Sequence, residues 1–421
     1  QPMNDIVIAG CGIAGAVAGL AALKKKENVL IIEKNKRESV GRKICGELIT
    51  QEALQFLKNE FNFSIQNYPL KGLEVCSSSG HKLHVPEPLS TIDRYTLGQA
   101  LLTTVMDKGA EVVFERVLRP IGESCVQGVK TRDTVYPGKV FIDCSGASAV
   151  LRRRIIPFPS EITGIAYKEN IFVKEPVSLQ YAQLIFDKQI VPSGYMWCFP
   201  KNEYELNVGV GGIAKGKASL KKILDKTLNN LNITVKRRET PGFGVVPLGG
   251  PLSNMVYPGL LVCGDAASHV NPLTGEGIAP AVEAGYYAGT TAARAVKNDD
   301  LSVEGLWEYN SKFAASFGMA HAPLVVARNY LVSLSDEELT YFLENIVTGD
   351  DLHRLIKGKT PPISKIVKTG ARSWRKPKLL YQLYSVFTVM NKMRNLYKNF
   401  PESPHKYSSW LKSLNSLSKM D

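Results

Sequence analysis

The sequence predicts an α/β protein: a parallel sheet with a glycine-rich first turn, joined to an antiparallel-sheet segment and a helical C-terminal region. Three observations predict it. A short apolar run, Ile6-Val7-Ile8-Ala9, runs directly into Gly10-Cys11-Gly12-Ile13-Ala14-Gly15. A second apolar run, from Gly259, ends in Gly264-Asp265 and leads through a polar turn into a long helix-forming stretch. Between them Tyr195, Trp197 and Phe199 alternate, which on a strand places three rings on one face.

The first element is a βαβ unit. Ile6 to Ala9 suits a buried parallel strand, Ala16 to Lys26 a helix, and Asn28 to Ile32 a second strand that ends at Glu33. The spacing GxGxxG falls at the first turn. Gly10 makes the tight turn, Gly12 lets backbone approach a pyrophosphate, and Gly15 lets helix pack on strand; the helix N-terminus then faces phosphate charge. Glu33 follows at the distance that suits ribose hydroxyls, and its carboxylate disfavours a 2′-phosphate. FAD or NAD fits better than NADP. Ile6 to Leu23 is also uncharged and precedes Lys24-Lys25-Lys26, a length that fits a membrane span. Glycines at 10, 12, 15 and 19 make strand, turn and helix the preferred reading.

The segment around Gly264-Asp265, with Asn271-Pro272-Leu273-Thr274-Gly275-Glu276-Gly277 and a helix from Ile278 to Val296, resembles the second fingerprint of FAD-dependent oxidoreductases. The resemblance implies that Asp265 bonds the ribityl chain and that the helix points its N-terminus at the flavin, where the dipole favours an anionic reduced ring. Backbone N–H groups of 275–277 would face the flavin, without a clear acid among them. Asp143-Cys144-Ser145-Gly146, with Ser148 and Arg152, resembles a third marker of these proteins. It departs from the pattern because Ser145 stands where an aspartate is usual. Arg94, at the start of a helix that runs to Lys108, matches an arginine such flavoproteins aim at the cofactor. A solvated helix-start arginine is the plainer alternative.

Two further stretches are Arg42-Lys43-Ile44-Cys45-Gly46-Glu47 and Tyr195-Met196-Trp197-Cys198-Phe199-Pro200, the latter followed by Leu206-Asn207-Val208-Gly209-Val210-Gly211. Together they resemble the geranylgeranyl reductase family, whose archaeal members saturate isoprenoid chains of membrane lipids. The resemblance covers roughly residues 3 to 320. It implies a para-hydroxybenzoate-hydroxylase-like architecture: a discontinuous, Rossmann-like FAD domain from 3–60, 91–153 and 255–318, an antiparallel-sheet substrate domain from 61–90 and 154–254, and a helical basic region over 319–421. It adds Ala14, Lys34, Arg42, Cys45, Gly46, Val117, Gly275, Gly277 and Ile278 to the expected cofactor contacts. It also makes Tyr195, Trp197, Phe199 and Pro272 a wall for a prenyl chain, although spacing alone favours ordinary sheet packing for the rings.

Cys45 and Tyr195 are the catalytic candidates. Arg42 and Lys43 flank Cys45, and nearby cations lower a thiol pKa. That sits awkwardly with acid duty, since a thiolate has no proton to give, and an inert buried thiol is the competing reading. The proton for a reduced alkene comes from Cys45, Tyr195, a water or the flavin itself; the sequence leaves these open. The implied substrates are a geranylgeranylated glycerophospholipid first, geranylgeranyl diphosphate second and a prenylated quinone third. A second Gly-rich βαβ unit is absent, so an external donor, NAD(P)H or a ferredoxin, is expected to reduce the flavin.

The chain has 421 residues and a formal net charge of +13. From Leu352 to Asp421 there are 15 lysines and arginines against two acids. Within that region Lys376 to Arg394 is helix-length, apolar in the middle and basic at its ends. It suits peripheral contact with an anionic bilayer, or a helix that closes a substrate tunnel. Nucleic-acid binding is the weaker use of the charge, because no basic–aromatic motif accompanies it. Seven cysteines stand singly, which argues against metal sites and iron–sulfur clusters and for a reducing, cytoplasmic location. The absence of a cluster disfavours a membrane-docked electron carrier. A flavin monooxygenase or halogenase is the other alternative, though the WxWxIP segment of halogenases is missing.

Overall fold

The computed structural model describes residues 3–156, 162–213, 219–361 and 376–418. Asn4–Ala9 lies at the centre of a parallel sheet, with Val29–Ile32 and then Glu111–Val113 on one side and Val135–Asp143 and then Leu260–Val262 on the other. These strands are covered on both faces, which is why they read as unbroken apolar runs. Val256–Tyr257 closes one edge in antiparallel fashion, and a hairpin of Arg119–Ile121 and Gly128–Lys130 leans on Val135–Asp143.

The first helix spans Ile13–Leu23, beginning and ending three residues earlier than the sequence suggests. It starts as soon as the glycine turn allows, and Lys24 to Lys26 form a turn that ends with Lys26 at φ 68°. The helix packs against Ile278–Asn298 at close range. A Cβ on Gly285 would fall 2.5 Å from the Ala14 carbonyl oxygen, and one on Gly289 would fall 2.2 Å from that of Ala18. The uncharged stretch from Ile6 to Leu23 is therefore a strand, a turn and a globular helix. Among the described residues no helix is long and apolar enough to cross a membrane.

The second sheet has seven strands in the order Val235–Pro247, Thr163–Val173, Glu205–Ile213, Gly194–Pro200, Ala182–Ile185, Leu73–Cys76 and Lys82–Val85. All neighbours pair antiparallel except Ala182–Ile185 with Leu73–Cys76. A small third sheet joins Leu48–Thr50, Leu89–Ile92 and Asn67–Leu70. It ties together residues on both sides of the boundaries expected at 60 and 90.

Gly194–Pro200 alternates as period two requires. Met196 and Cys198 enter a core with Leu206, Val208 and Leu224. Trp197 and Phe199 face the other way, into a core shared with Leu324, Leu343, Leu355, Leu383, Phe387 and Met390. The C-terminal helices thus complete the antiparallel sheet. Within this region Pro377–Lys398 buries Leu379, Leu383, Phe387, Met390 and Met393, and its principal neighbour is the helix Met319–Ser333. Its apolar stripe is occupied by protein, leaving Tyr381 and Tyr384 exposed. Residues 362–375 and 419–421 of the basic region lie outside the described residues.

Candidate functional site

A cavity of about 1000 Å³ is lined by the parallel-sheet turns, the aromatic face of the antiparallel sheet and helices between 319 and 357. That is at the upper end of small-molecule sites, with room for a dinucleotide and an apolar chain together. Gly10, Gly12, Ala14, Glu33, Lys34, Arg42, Cys45, Gly46, Arg94, Val117, Gly264, Asp265, Pro272, Gly275, Gly277 and Ile278 all line it. So do Tyr195, Trp197 and Phe199. Gly15 does not; a Cβ there would meet the Gly10 carbonyl oxygen at 1.9 Å, so its place is in packing the turn.

The glycine turn is shaped for an anion. Gly10 adopts φ +104°, and a Cβ on it would lie 2.5 Å from the Cys144 carbonyl oxygen. Gly12 is the N-cap of Ile13–Leu23, with no side-chain cap and nothing within 4 Å of where a Cβ would stand. The first N–H groups of the helix therefore have no internal partner. Glu33 is held by two backbone donors: Cys11 N–H to Oε2 at 2.7 Å and Asn35 N–H to Oε1 at 2.8 Å. A carboxylate accepts about four bonds, so lone pairs remain for hydroxyls in the cavity. Asp143 ties the end of the neighbouring strand to the loop after it, accepting from Ser145 Oγ, Leu151 N and Arg152 N. This carboxylate orders the 145–152 loop where Ser145 departs from the usual pattern.

Arg94 is 6% exposed, and its Nη1 has no hydrogen-bond partner among the described residues. It is therefore a buried donor on the cavity wall, unlike a solvated helix-start arginine. Burial lowers its pKa, while Cys45, Asp265 and Glu47 work in the opposite direction. Asp265 is paired with Lys43 at 2.5 Å. An open glycine cradle, a fixed carboxylate and an orphaned guanidinium N–H together fit a flavin dinucleotide.

The Cys45 loop is held by a polar network. Glu47 donates its N–H to Cys45 Sγ at 3.3 Å, and Asn207 Nδ2 donates to the Cys45 carbonyl at 2.9 Å. Asn207 also donates to Glu47 Oε2 at 3.1 Å and accepts from Trp197 Nε1 at 2.8 Å. Lys201 completes it with a buried ion pair to Glu47 at 2.8 Å. Burial raises the Cys45 pKa against the lowering pull of Arg94 and Lys43. This corrects the expectation of a low-pKa thiol: the flanking cations lose to desolvation, so the group stays S–H and keeps a proton to donate.

Tyr195 gives its hydroxyl to the Thr274 carbonyl oxygen, and burial pushes its pKa up to about 12. It fastens the 271–277 turn to the aromatic wall. That wall continues from Phe186 through Tyr195 and Trp197 to Phe199, with successive ring centroids 5.5, 6.3 and 6.3 Å apart. Trp197 lies opposite Gly209 in register, and a Cβ on Gly209 would fall 2.1 Å from the indole. The ring therefore needs that glycine to lie flat. The turn also holds a carboxyl group to which the sequence assigned no role. Glu276 lines the cavity, accepts from Ala279 N–H at 2.8 Å, and is pushed by burial up to about 7.

Asn207, Glu47, Lys201 and Glu276 were not among the expected site residues. Glu47 and Asn207 lie within the quoted sequence stretches, but what they bond to is visible only in three dimensions. The helix Pro377–Lys398 does not line the cavity; residues of Met319–Ser333 and Gly349–Ile356 do. The basic helix backs the cavity wall at one remove.

The fold and this site define a flavin-dependent oxidoreductase of the para-hydroxybenzoate-hydroxylase-like architecture. Residues 163–241 match the family described as geranylgeranyl reductase catalytic domain. The chain is 27% identical to the digeranylgeranylglycerophospholipid reductase of Sulfolobus acidocaldarius, over 98% of this chain and 97% of that protein. The fold is similar to that of a geranylgeranyl bacteriochlorophyll reductase-like protein from Thermoplasma acidophilum, at a TM-score of 0.74 and 23% identity over 91% of this chain and 99% of that one. A myxobacterial chondrochloren halogenase shares the fold at a TM-score of 0.68 and 13% identity, over 94% and 97% of the two chains.

Proposed function

We propose that the protein is an FAD-dependent reductase that saturates the carbon–carbon double bonds of geranylgeranyl chains in archaeal membrane lipids. A geranylgeranylated glycerophospholipid is the preferred substrate. The observation that carries this reading is the continuity of one cavity from the Gly10–Gly12 cradle to the Tyr195–Trp197–Phe199 wall. FAD held there, once reduced by an external donor such as NAD(P)H or a ferredoxin, supplies hydride to an alkene.

An isolated alkene needs hydride and proton delivered almost together, with the chain held in place. Trp197 and Phe199 provide an apolar surface for the chain and exclude water. The Cys45 thiol, kept protonated, gives the proton from Sγ to the other alkene carbon. Tyr195 positions the 271–277 turn and acts on the chain through its ring. Gly10, Gly12 and the N-terminus of Ile13–Leu23 bind the pyrophosphate, Glu33 the ribose and Asp265 the ribityl chain. The segments 3–60, 91–153 and 255–318 serve the cofactor, while 61–90, 154–254 and the helices from 319 onward serve the lipid.

Anaerobic titration tests this reading. Chemically reduced protein mixed with the lipid is expected to regain oxidised-flavin absorbance, and no return with any prenyl lipid contradicts it.

A further inference from the structure

Arg328 lies in the helix Met319–Ser333, lines the same cavity and is 4% exposed. It donates from Nη1 to the Leu248 carbonyl oxygen and from Nη2 to Asn329 Oδ1 at 2.8 Å, and its Nε has no partner among the described residues. A guanidinium carries five N–H donors, so most of its capacity is unspent among the described residues. Among the described residues no acidic group offsets the burial that depresses its pKa, whereas Arg94 has Cys45, Asp265 and Glu47 around it. The neighbouring cation Lys188 is consumed by the carbonyls of Leu331, Val332 and Leu334 at the end of the same helix. A buried charge without a counter-charge is costly, and a ligand anion would relieve that cost. Ile165, Val246, Leu331 and Val332 line the same cavity, so the anion belongs to a molecule that is otherwise apolar.

We propose that Arg328 is the anchor for a phosphate group carried by the isoprenoid substrate, and so selects charged over neutral prenyl lipids. This rests on the reductase reading above. The planar fork of the guanidinium matches a phosphate through paired donors. Two sources carry that chemistry: the phosphate of a glycerol lipid and the diphosphate of a free prenyl chain.

The test compares kcat/KM of the reduced holoenzyme on geranylgeranylated glycerophosphate, on geranylgeranyl diphosphate and on neutral digeranylgeranylglycerol. The unaltered protein is expected to prefer a phosphorylated lipid, and the better of the two phosphorylated substrates names the source. Arg328→Gln is expected to cut the ratio of phosphorylated to neutral turnover at least tenfold, while Arg328→Lys keeps most of it. A ratio unchanged in Arg328→Gln overturns the proposal, since a merely structural arginine would lower both substrates together. Should that variant not fold, the absence of any preference in the unaltered protein overturns it equally. No turnover of any of the three lipids by the unaltered protein would instead defeat the reductase reading.

Discussion

Asn207 couples the Cys45 loop to the aromatic wall: its amide donates to the Cys45 carbonyl at 2.9 Å and its carbonyl accepts the Trp197 indole N–H at 2.8 Å. The thiol and the surface on which a chain would lie are thus fixed by one side chain. Asn207→Ala leaves the indole N–H without its partner and strips a donor from the buried Glu47 carboxylate. Chemical denaturation is expected to show a loss of about 2–4 kcal/mol, since each orphaned buried group costs about 1–3 kcal/mol. A loss below about 0.5 kcal/mol would show that the network is not a structural clamp.

Two glycines of the cofactor turn are expected to behave differently. A side chain at Gly12 points into open space, so Gly12→Val leaves the flavin-free protein as stable as before and weakens flavin binding at least tenfold. Gly15→Val drives its Cβ into the Gly10 carbonyl and lowers both stability and flavin content. Thermal melting with and without flavin, alongside fluorescence titration, separates them. Equal effects in both variants would contradict the cradle geometry.

Gly209→Val displaces the Trp197 indole from its resting place against the strand. Flavin content is expected to hold while KM for a prenyl lipid rises at least tenfold. An unchanged KM would mean that the ring does not bound the chain.

The Cys45 thiol is the proposed proton source, and positioned acids contribute roughly two to four orders of magnitude. Cys45→Ala is expected to lower turnover of a reduced-enzyme preparation by that amount with flavin binding retained. Unchanged single-turnover rates would remove the thiol from the mechanism.

Glu276 makes stability depend on pH. Its folded pKa is raised from 4.5 to about 7, so the native state holds the proton more tightly than the unfolded chain. Its contribution is present in full below the unfolded value and is lost as pH rises through the folded one. Stability is expected to fall by about 1–3 kcal/mol across that window, and Glu276→Gln to remove that part of the slope. Denaturation curves that fall equally for both proteins would contradict this.

The parallel-sheet unit was legible because its signals are local. A GxGxxG turn, continuous apolar strands and an acid at the strand end each depend on a few adjacent residues, and Gly10, Gly12 and Glu33 line the cavity. The alternation of Tyr195, Trp197 and Phe199 showed a shared face. It could not show that the face serves both as core and as cavity wall, because the helices from 319 onward supply the other side. The thiol at Cys45 was misjudged for a similar reason. Charges next to it in sequence were visible, whereas the burial that outweighs them comes from folding. Arg328 and Glu276 carry no motif meaning in one dimension and become conspicuous only when buried beside the cavity.

Mass spectrometry of lipids incubated with the chemically reduced protein tests the central claim most directly. A geranylgeranylated glycerophospholipid is expected to gain a pair of hydrogens for each double bond saturated, with geranylgeranyl diphosphate and a prenylated quinone as poorer substrates. Lipids recovered with unchanged mass, from all three and with the flavin shown to be bound and reduced, would contradict it.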